Sequence, residues 1–558
     1  MQTFEWFKQY PDGVKQSVNP DDFDSIIDFL DKKTDEFDDL EAYVNMGKSL
    51  TFKETKTLAC GFAAYLQSLG LKKGDRIAIQ MPNLLQYPIA MFGALKAGLI
   101  VVNTNPLYMP DEMLHQFKDS GVTAIVILAN FAHHLEKIKD QTNIKHVIVT
   151  EIGDLLGGFK GKLVNFVVKK VKKMVPPYQI PGAVKFNDAL KKGSTLTLNK
   201  PEIKIDDIAY LQYTGGTTGV SKGAMLTNRN MLANMLQIAE WKSPILKKRE
   251  EIIITALPLY HIFALTVNCL AMLNIGAKNV LITNPKDLKG FINELKKHKF
   301  SIFVGVNTLF NGLLNQEDFK NVDFSKLKVT VGGGMAVQIS VAERWKATTG
   351  VELVEGYGLT ESSPVLTCNP VVGGVSLGTI GLPLPSTEIS IRDDSGNEVP
   401  MGERGEIWAK GPQIMTGYWQ RPQDSNDVLT EGWLKTGDIG IQLEKGYFKL
   451  VDRKKEMILV SGFNVFPNEV EDALAHFQKI KEVGVIGVPD ENSGETVKAF
   501  VVKADESLTE EEVKAFAKEH LTGYKRPKYV EFRNELPKSN VGKILRRILK
   551  EEDMKNWS

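Results

Sequence analysis

A chain of 558 residues is too long for one hydrophobic core, and at roughly 100–200 residues per domain it implies about three or four units. With 43% hydrophobic residues, 25% charged residues and a formal net charge of +1, the composition is that of a globular protein and excludes a global electrostatic affinity for nucleic acid. Cys60, Cys269 and Cys368 lie far apart with no C-x-x-C spacing, which argues against a disulfide framework and a zinc site and points to a reducing cytosol.

The opening MQTFEWFKQYPDG has acidic residues early and no apolar h-region, so no secretory signal is expected. Over the first 150 residues, helix-period stretches alternate with short apolar runs, the pattern of a parallel sheet covered by helices. Thr51 and Glu54 form a capping box ahead of Leu58, Phe62, Leu66 and Leu69, and Gly70 closes that helix. Strands are expected at Ile77–Met81, Ile100–Asn103, Ala124–Leu128 and His146–Thr150. The stretch FKGKLVNFVVKKVKKM, Phe159 to Met174, carries six lysines and no acid, with Leu163, Phe166, Val167 and Val171 near helical spacing. Two readings stand equal there: a helix lying on a membrane surface, or a solvated helix whose apolar side packs on the protein. Pro176-Pro177 ends it in either case.

The next strand, Ile208–Tyr213, delivers YTGGTTGVSKGA at its carboxyl end, where open α/β sheets place ligands. Gly215, Gly216 and Gly219 let the backbone approach an anion closely, Thr214, Thr217, Thr218 and Ser221 add hydroxyls, and Lys222 supplies a point charge. The string reads as a phosphate cradle but not as a Walker loop, because Val220 follows Gly219 and Gly223 follows Lys222. Ile252–Ala277 has no Asp, Glu, Lys or Arg, yet Pro258, Tyr260, His261, Thr266, Asn268 and Asn274 and its strand-like start argue against a membrane span. Within it, PLYHIF sets His261 among apolar neighbours, which alone suits a core histidine.

Further on, GGGM (Gly332–Met335) follows a strand-like run and offers backbone that can lie flat on an adenine, although such glycines are often simple turns. YGLTES gives Tyr357 to stack on a base, Thr360 to bind a phosphate oxygen and Glu361 to hold Mg²⁺. TGD presents Asp438 after a turn, suited to the vicinal hydroxyls of a ribose or to capping that turn. Past the charged run Asp452–Glu456, strands at Val483–Val488, Val497–Val502 and Tyr529–Phe532 with a helix at Thr509–His520 make a small α+β unit. PKSNVGKILRR sets Lys543 after a turn and before a basic helix, by itself an ordinary solvated face.

Taken in this order, from about Thr51 to Arg547, these strings resemble the adenylate-forming ligases, the superfamily of acyl-CoA synthetases, luciferases and peptide-synthetase adenylation domains. The chain is most similar there to the bacterial long-chain fatty acyl-CoA synthetases, on TGDIG, GYFKLVDRKKEMILVSGFNVFPNEVE, LTGYKRPK and LPKSNVGKILRR. The resemblance implies an α/β fold: a large N-terminal domain, residues 1–451, of α/β subdomains with parallel-rich sheets plus a β-rich subdomain. A hinge at 452–456 pivoting on Lys455 and a small mobile C-terminal α+β domain, 457–558, complete it. It implies two half-reactions, in which a fatty carboxylate attacks the α-phosphate of Mg-ATP and the thiol of coenzyme A then displaces AMP.

In that scheme the catalytic residues are Lys543, Lys222, Glu361, Thr360 and His261, with the metal on Glu361 and Thr214. ATP or AMP contacts fall to Thr214, Gly215, Gly216, Thr217, Thr218, Gly219, Lys222, Gly333, Glu355, Gly356, Tyr357 and Thr360, with Asp438 and Arg453 on the ribose. Coenzyme A falls to Ser461, Gly462, Phe463, Tyr524, Lys525 and Arg526. The expected partners are ATP, a long-chain fatty acid and coenzyme A, with no nucleic acid. A cytoplasmic location is expected, and peripheral contact with the cytoplasmic membrane face and a homodimer stay open. The alternatives are a ligase for another acid or acceptor, such as an aryl-CoA ligase or a fatty acyl-AMP ligase, a luciferase-like oxygenase, and a binding protein without turnover.

Overall fold

The computed structural model describes residues 4–214, 221–490, 493–539 and 542–557. Runs such as Ile100–Asn103 and Ala124–Leu128 are apolar along almost their whole length because they are buried on both faces, as parallel strands beneath helices must be. They pair in parallel with Arg76–Gln80, His146–Thr150 and Ile208–Tyr213, and Gly223–Thr227 closes one edge antiparallel. All the strands expected in this region form, the first shifted by one residue, Arg76–Gln80 in place of Ile77–Met81. The capping box is reciprocal: Glu54 N donates to Thr51 Oγ1 at 3.0 Å and Thr51 N to Glu54 Oε2 at 2.8 Å. Gly70, at φ +85°, takes the left-handed turn that ends this helix, Phe52–Ser68.

A second sheet has a parallel centre of Glu41–Asn45, Lys278–Leu281, Ile252–Thr255, Ile302–Gly305, Val329–Gly332 and Leu353–Gly358. The strand Glu41–Asn45 therefore leaves the N-terminal region and pairs with a strand far along the chain, in the register Tyr43↔Asn279. Buried amides lace the carboxyl ends of the two sheets together. Asn83 donates to Thr255 O at 3.0 Å and Leu257 O at 2.9 Å, and Gln212 donates to Tyr260 O at 2.7 Å. That lacing fixes the PLYHIF segment at the meeting line of the sheets. Among the described residues no helix is long and apolar enough to cross a membrane.

The third sheet is antiparallel, and its longest strand, Trp433–Gln442, contains the TGD string. The expectation of a turn before Asp438 is corrected: Gly437 has φ +72°, but the strand continues and Asp438 pairs directly with Arg453. The small C-terminal lobe is a mixed sheet in which Ile480–Asp490 and Gly494–Lys503 pair antiparallel and Tyr529–Arg533 adds in parallel. Its helix Glu510–His520 starts from a Thr509 capping box. The lobe is seated on the larger part of the chain. The Gly542 backbone lies so close to Thr308 that a Cβ there would collide with it.

The basic stretch forms a helix, Gly158–Phe166, that continues as a π-helical turn over Val167–Val171. Val164 packs on the core, but the other side of the helix carries apolar side chains that face outward: Phe159 is 80% exposed, Val171 64% and Phe166 58%.

Candidate active site

The strand Ile208–Tyr213 and its antiparallel neighbour Gly223–Thr227 hold the two ends of the glycine-rich loop together. Thr214 N donates to Lys222 O at 3.0 Å, and the Ser221 hydroxyl donates to Thr214 O at 2.5 Å. Gly215, Gly216, Thr217, Thr218 and Gly219 lie outside the described residues. Lys222 Nζ pairs with Asp424 and sits 5.3 Å from the centre of the Tyr418 ring. The Tyr418 hydroxyl in turn donates to Glu361 Oε1 at 2.6 Å. Lys222 and Glu361, distant in sequence, are thus linked through one segment, 418–424. Sequence reasoning missed Tyr418 and Asp424, because neither lies at a fixed spacing from the glycine loop or from YGLTES.

The candidate adenosine residues come together where the second sheet ends. A Cβ on Gly333 would come 2.9 Å from the Phe263 ring and 3.0 Å from Gly356 O, so the two glycines lie against each other with no side chain between. Glu355 Oε2 accepts from Val337 N at 3.2 Å, and burial pushes its carboxyl up to about 8. The Tyr357 hydroxyl donates to Asp438 Oδ2 at 2.7 Å, and Arg453 Nε lies 3.3 Å from Asp438 Oδ1. Burial raises the proton affinity of Asp438, while Arg453, the Tyr357 hydroxyl and Lys543 oppose the rise. Burial also works against the Arg453 charge, but Asp438, Glu456, Tyr357 and Glu361 outweigh it. Arg453 therefore senses both the Asp438 pair and Glu361, which joins the ribose-side candidates to the phosphate-side ones.

Lys543 enters this neighbourhood from the other lobe. Burial, then Arg453, lowers its ammonium to about 8, with Glu456 and Asp438 pulling the other way. His261 caps the short helix Ile262–Ala264, its Nδ1 accepting from Phe263 N at 3.3 Å. Burial holds its imidazole down at about 4, so it is neutral at physiological pH. Thr360 opens a single helical turn, Thr360–Ser362, which aims Glu361 toward Tyr418.

The coenzyme A candidates cluster elsewhere, on the small lobe. Ser461 and Gly462, at φ +51° and +84°, form the turn between Ile458–Val460 and Phe463–Val465. Phe463 stacks on Tyr524 with ring centres 4.7 Å apart and is 55% exposed. Lys525 pairs with Glu469 at 2.5 Å, and Arg526 donates to Leu521 O at 2.8 Å and Lys518 O at 3.2 Å, closing a helix end. Lys455 is exposed on the turn Lys454–Glu456 between the lobes.

A family model described as AMP-binding enzyme matches residues 30–419, and one described as AMP-binding enzyme C-terminal domain matches 469–543. The long-chain-fatty-acid–CoA ligase of Escherichia coli O6:H1 is 55% identical over 548 residues, 98% of this chain and 98% of that protein. The ligase of the same name from Haemophilus influenzae is 54% identical over 553 residues, with 98% of each chain covered. Among solved structures, the anthranilate CoA ligase AuaEII in complex with anthranoyl-AMP matches with a TM-score of 0.85 and 25% identity, covering 97% of this chain and 99% of that one. With two thirds of its length under the first family model and near-complete alignment to these relatives, the chain belongs to the AMP-binding enzyme family.

Proposed function

We propose that this protein joins long-chain fatty acids to coenzyme A through an acyl-adenylate, with release of AMP and pyrophosphate. Long-chain fatty acid–CoA ligation, with ATP and coenzyme A as co-substrates, is the activity carried by its full-length 55% identity to ligases of that name. One observation supports the chemistry above all: Lys543 from the small lobe shares a charged neighbourhood with Asp438 and Arg453 of the larger part.

Adenylation brings a carboxylate anion to a polyanion, so its barrier is lowered by fixed positive charge more than by proton transfer. Lys222 neutralises the leaving phosphates, and Lys543 neutralises charge where the carboxylate meets the α-phosphate. Asp438, fixed by the Tyr357 hydroxyl and Arg453, accepts both ribose hydroxyls. His261, neutral and set at the junction of the two sheets, positions the fatty carboxylate. Glu361 suits Mg²⁺, because Tyr418 occupies only one of its two oxygens. Mg²⁺ is commonly held by one or two carboxylates together with substrate phosphates. Thr214 is the second candidate ligand, and Mg²⁺ held by these residues would supply further charge neutralisation at the phosphates.

For the second half-reaction, residues 457–558 rotate about Lys455 relative to 1–451. Lys543 leaves, and the exposed Phe463–Tyr524 face with Ser461 and Gly462 comes to line the path of the pantetheine arm. A thioester assay with palmitate and with an aromatic acid, in the presence of ATP and coenzyme A, tests the reading. Palmitoyl-CoA and AMP are the expected products, and preference for the aromatic acid or release of free acyl-AMP alone would overturn it.

The exposed helix Gly158–Phe166 and its continuation support a peripheral membrane contact as well. From Leu155 to Asn187 the chain has lysines and no acid, and Phe159, Phe166 and Val171 project outward beside them. Each lysine near an anionic surface contributes about 1 kcal/mol. Replacing Lys169, Lys170, Lys172 and Lys173 by Gln is therefore expected to reduce co-sedimentation with phosphatidylserine vesicles by at least about tenfold. Unchanged co-sedimentation would remove the contact.

A further inference from the structure

The segment following Met415 lies alongside the exit of the phosphate loop and is held there firmly. Met225 N donates to Gly417 O at 2.9 Å and Trp419 N to Gly223 O at 2.8 Å, so it extends the edge strand Gly223–Thr227 for a short distance. Arg421 anchors it from the other side, donating to Asp119 Oδ1 at 2.8 Å, while the Tyr213 hydroxyl donates to Asp119 Oδ2 at 2.6 Å. Ser425 ties the turn internally, accepting from Tyr418 N at 2.8 Å and donating to Arg421 O at 2.7 Å. This fixed strap places two side chains on the two groups that the proposed reaction needs most. Asp424 takes the Lys222 ammonium, and Tyr418 takes the Glu361 carboxylate and turns its ring toward the same ammonium.

We propose that Tyr418 and Asp424 are positioning residues of the adenylation step: Asp424 is an internal counter-ion that the ATP phosphates displace from Lys222, and Tyr418 fixes Glu361. This rests on the reading of Lys222 and Glu361 as the phosphate and metal side of the site. A lysine on its four-carbon stem carries large rotamer freedom, and Asp424 removes it in advance by aiming the ammonium into the site. The same pairing must be broken each time the triphosphate arrives, and it re-forms as pyrophosphate leaves. Asp424 therefore weakens ATP binding and speeds the departure of pyrophosphate. Both Lys222 and Asp424 are about one-third exposed, so the pair is of the half-screened kind whose loss is read as a several-fold change. Tyr418 acts differently, since its hydroxyl holds one carboxylate oxygen and leaves the other facing the phosphates.

The test is calorimetric binding of α,β-methylene-ATP to the full chain, with and without Mg²⁺, alongside pyrophosphate product inhibition. Asp424→Asn is expected to tighten analogue binding about fivefold in both conditions and to make pyrophosphate a stronger inhibitor by a similar factor. Asp424→Glu should restore wild-type values, and Lys222→Met/Asp424→Asn should bind no more tightly than Lys222→Met. Tyr418→Phe should weaken binding about threefold with Mg²⁺ and leave it unchanged without. Unchanged or weaker binding by Asp424→Asn, or an equal gain in the Lys222→Met background, overturns the counter-ion role. Equal losses in Tyr418→Phe with and without Mg²⁺ overturn the Tyr418 role. Wild-type affinity in Lys222→Met would overturn the phosphate-site reading itself, and this inference with it. Asp424→Ser serves as a second neutral variant, and thermal midpoints measured alongside separate local effects from misfolding.

Discussion

Replacing Lys543 with alanine is expected to cut acyl-adenylate formation by at least about 100-fold while leaving thioester formation from supplied acyl-adenylate within about threefold of wild type. The asymmetry follows from what each step requires. Only the first step drives two anions together, and only there does a preorganised ammonium stabilise the transition state more than the ground state. Titration gives the same argument a second readout. Burial and Arg453 lower Lys543 to about 8, so the ammonium is complete below that pH and is lost as pH rises through it. In the free enzyme, kcat/KM for ATP in the first half-reaction should therefore fall by about tenfold per unit above roughly pH 8. Lys543→Arg keeps its charge up to about pH 12 and should remove that alkaline limb even where its maximal rate is reduced. Quench-flow measurement of adenylate and a separate thioester assay check both outcomes. Equal loss of the two partial reactions in Lys543→Ala would contradict separate roles for the two lobes.

Strands such as Ala124–Leu128 and Ile208–Tyr213 were legible because a parallel strand covered on both faces must be an apolar run, whatever it pairs with. Glu41–Asn45 was not, because its pairing partner Lys278–Leu281 is remote and nothing local signals the crossover. TGD was misplaced for a related reason. Thr, Gly and Asp together have the chemistry of a turn, but the Asp438↔Arg453 register and the Tyr357 hydroxyl impose a strand. At the site, the glycines and Lys222 announced a phosphate cradle through local spacing. Tyr418 and Asp424 reach Glu361 and Lys222 only because residues 417–419 lie beside the strand Gly223–Thr227, a tertiary fact with no spacing signature. Lys543 was legible through family resemblance alone, since a lysine before a basic helix is otherwise unremarked. The basic stretch near Lys169 stays open to both readings, because helical spacing does not say which apolar residues face inward: Val164 packs on the core, whereas Phe159 and Val171 are exposed.

Arg546→Met should destabilise the C-terminal lobe by about 3–5 kcal/mol at neutral pH. The Arg546 guanidinium donates to Glu471 Oε1 at 2.9 Å and Oε2 at 2.6 Å, lies 3.3 Å from Asp452 Oδ1, and also bonds Glu456 and Asn468. Asp452 is fully buried, and burial raises the proton affinities of both Asp452 and Glu471 while Arg546 pulls them back down. Methionine keeps the length and packing of the side chain but leaves three carboxylates facing one another without their cation. The folded-state pKa values of Asp452 and Glu471 then rise further above the unfolded ones, and Glu456 loses one of the cations that hold its carboxyl low. The loss is therefore full at neutral pH and shrinks as pH falls through those folded values, because a neutral carboxyl needs no arginine. Asp452 also accepts from Asn468 N at 2.7 Å, and Asp452 and Glu456 flank Lys455. The rotation proposed about Lys455 breaks these bonds, so the same substitution should loosen the arrangement that seats Lys543 beside Asp438. Limited proteolysis within 457–558 during urea unfolding, repeated at neutral and acidic pH, measures both effects. An unchanged midpoint at neutral pH, or a deficit that grows on acidification, would show that these carboxylates do not depend on Arg546.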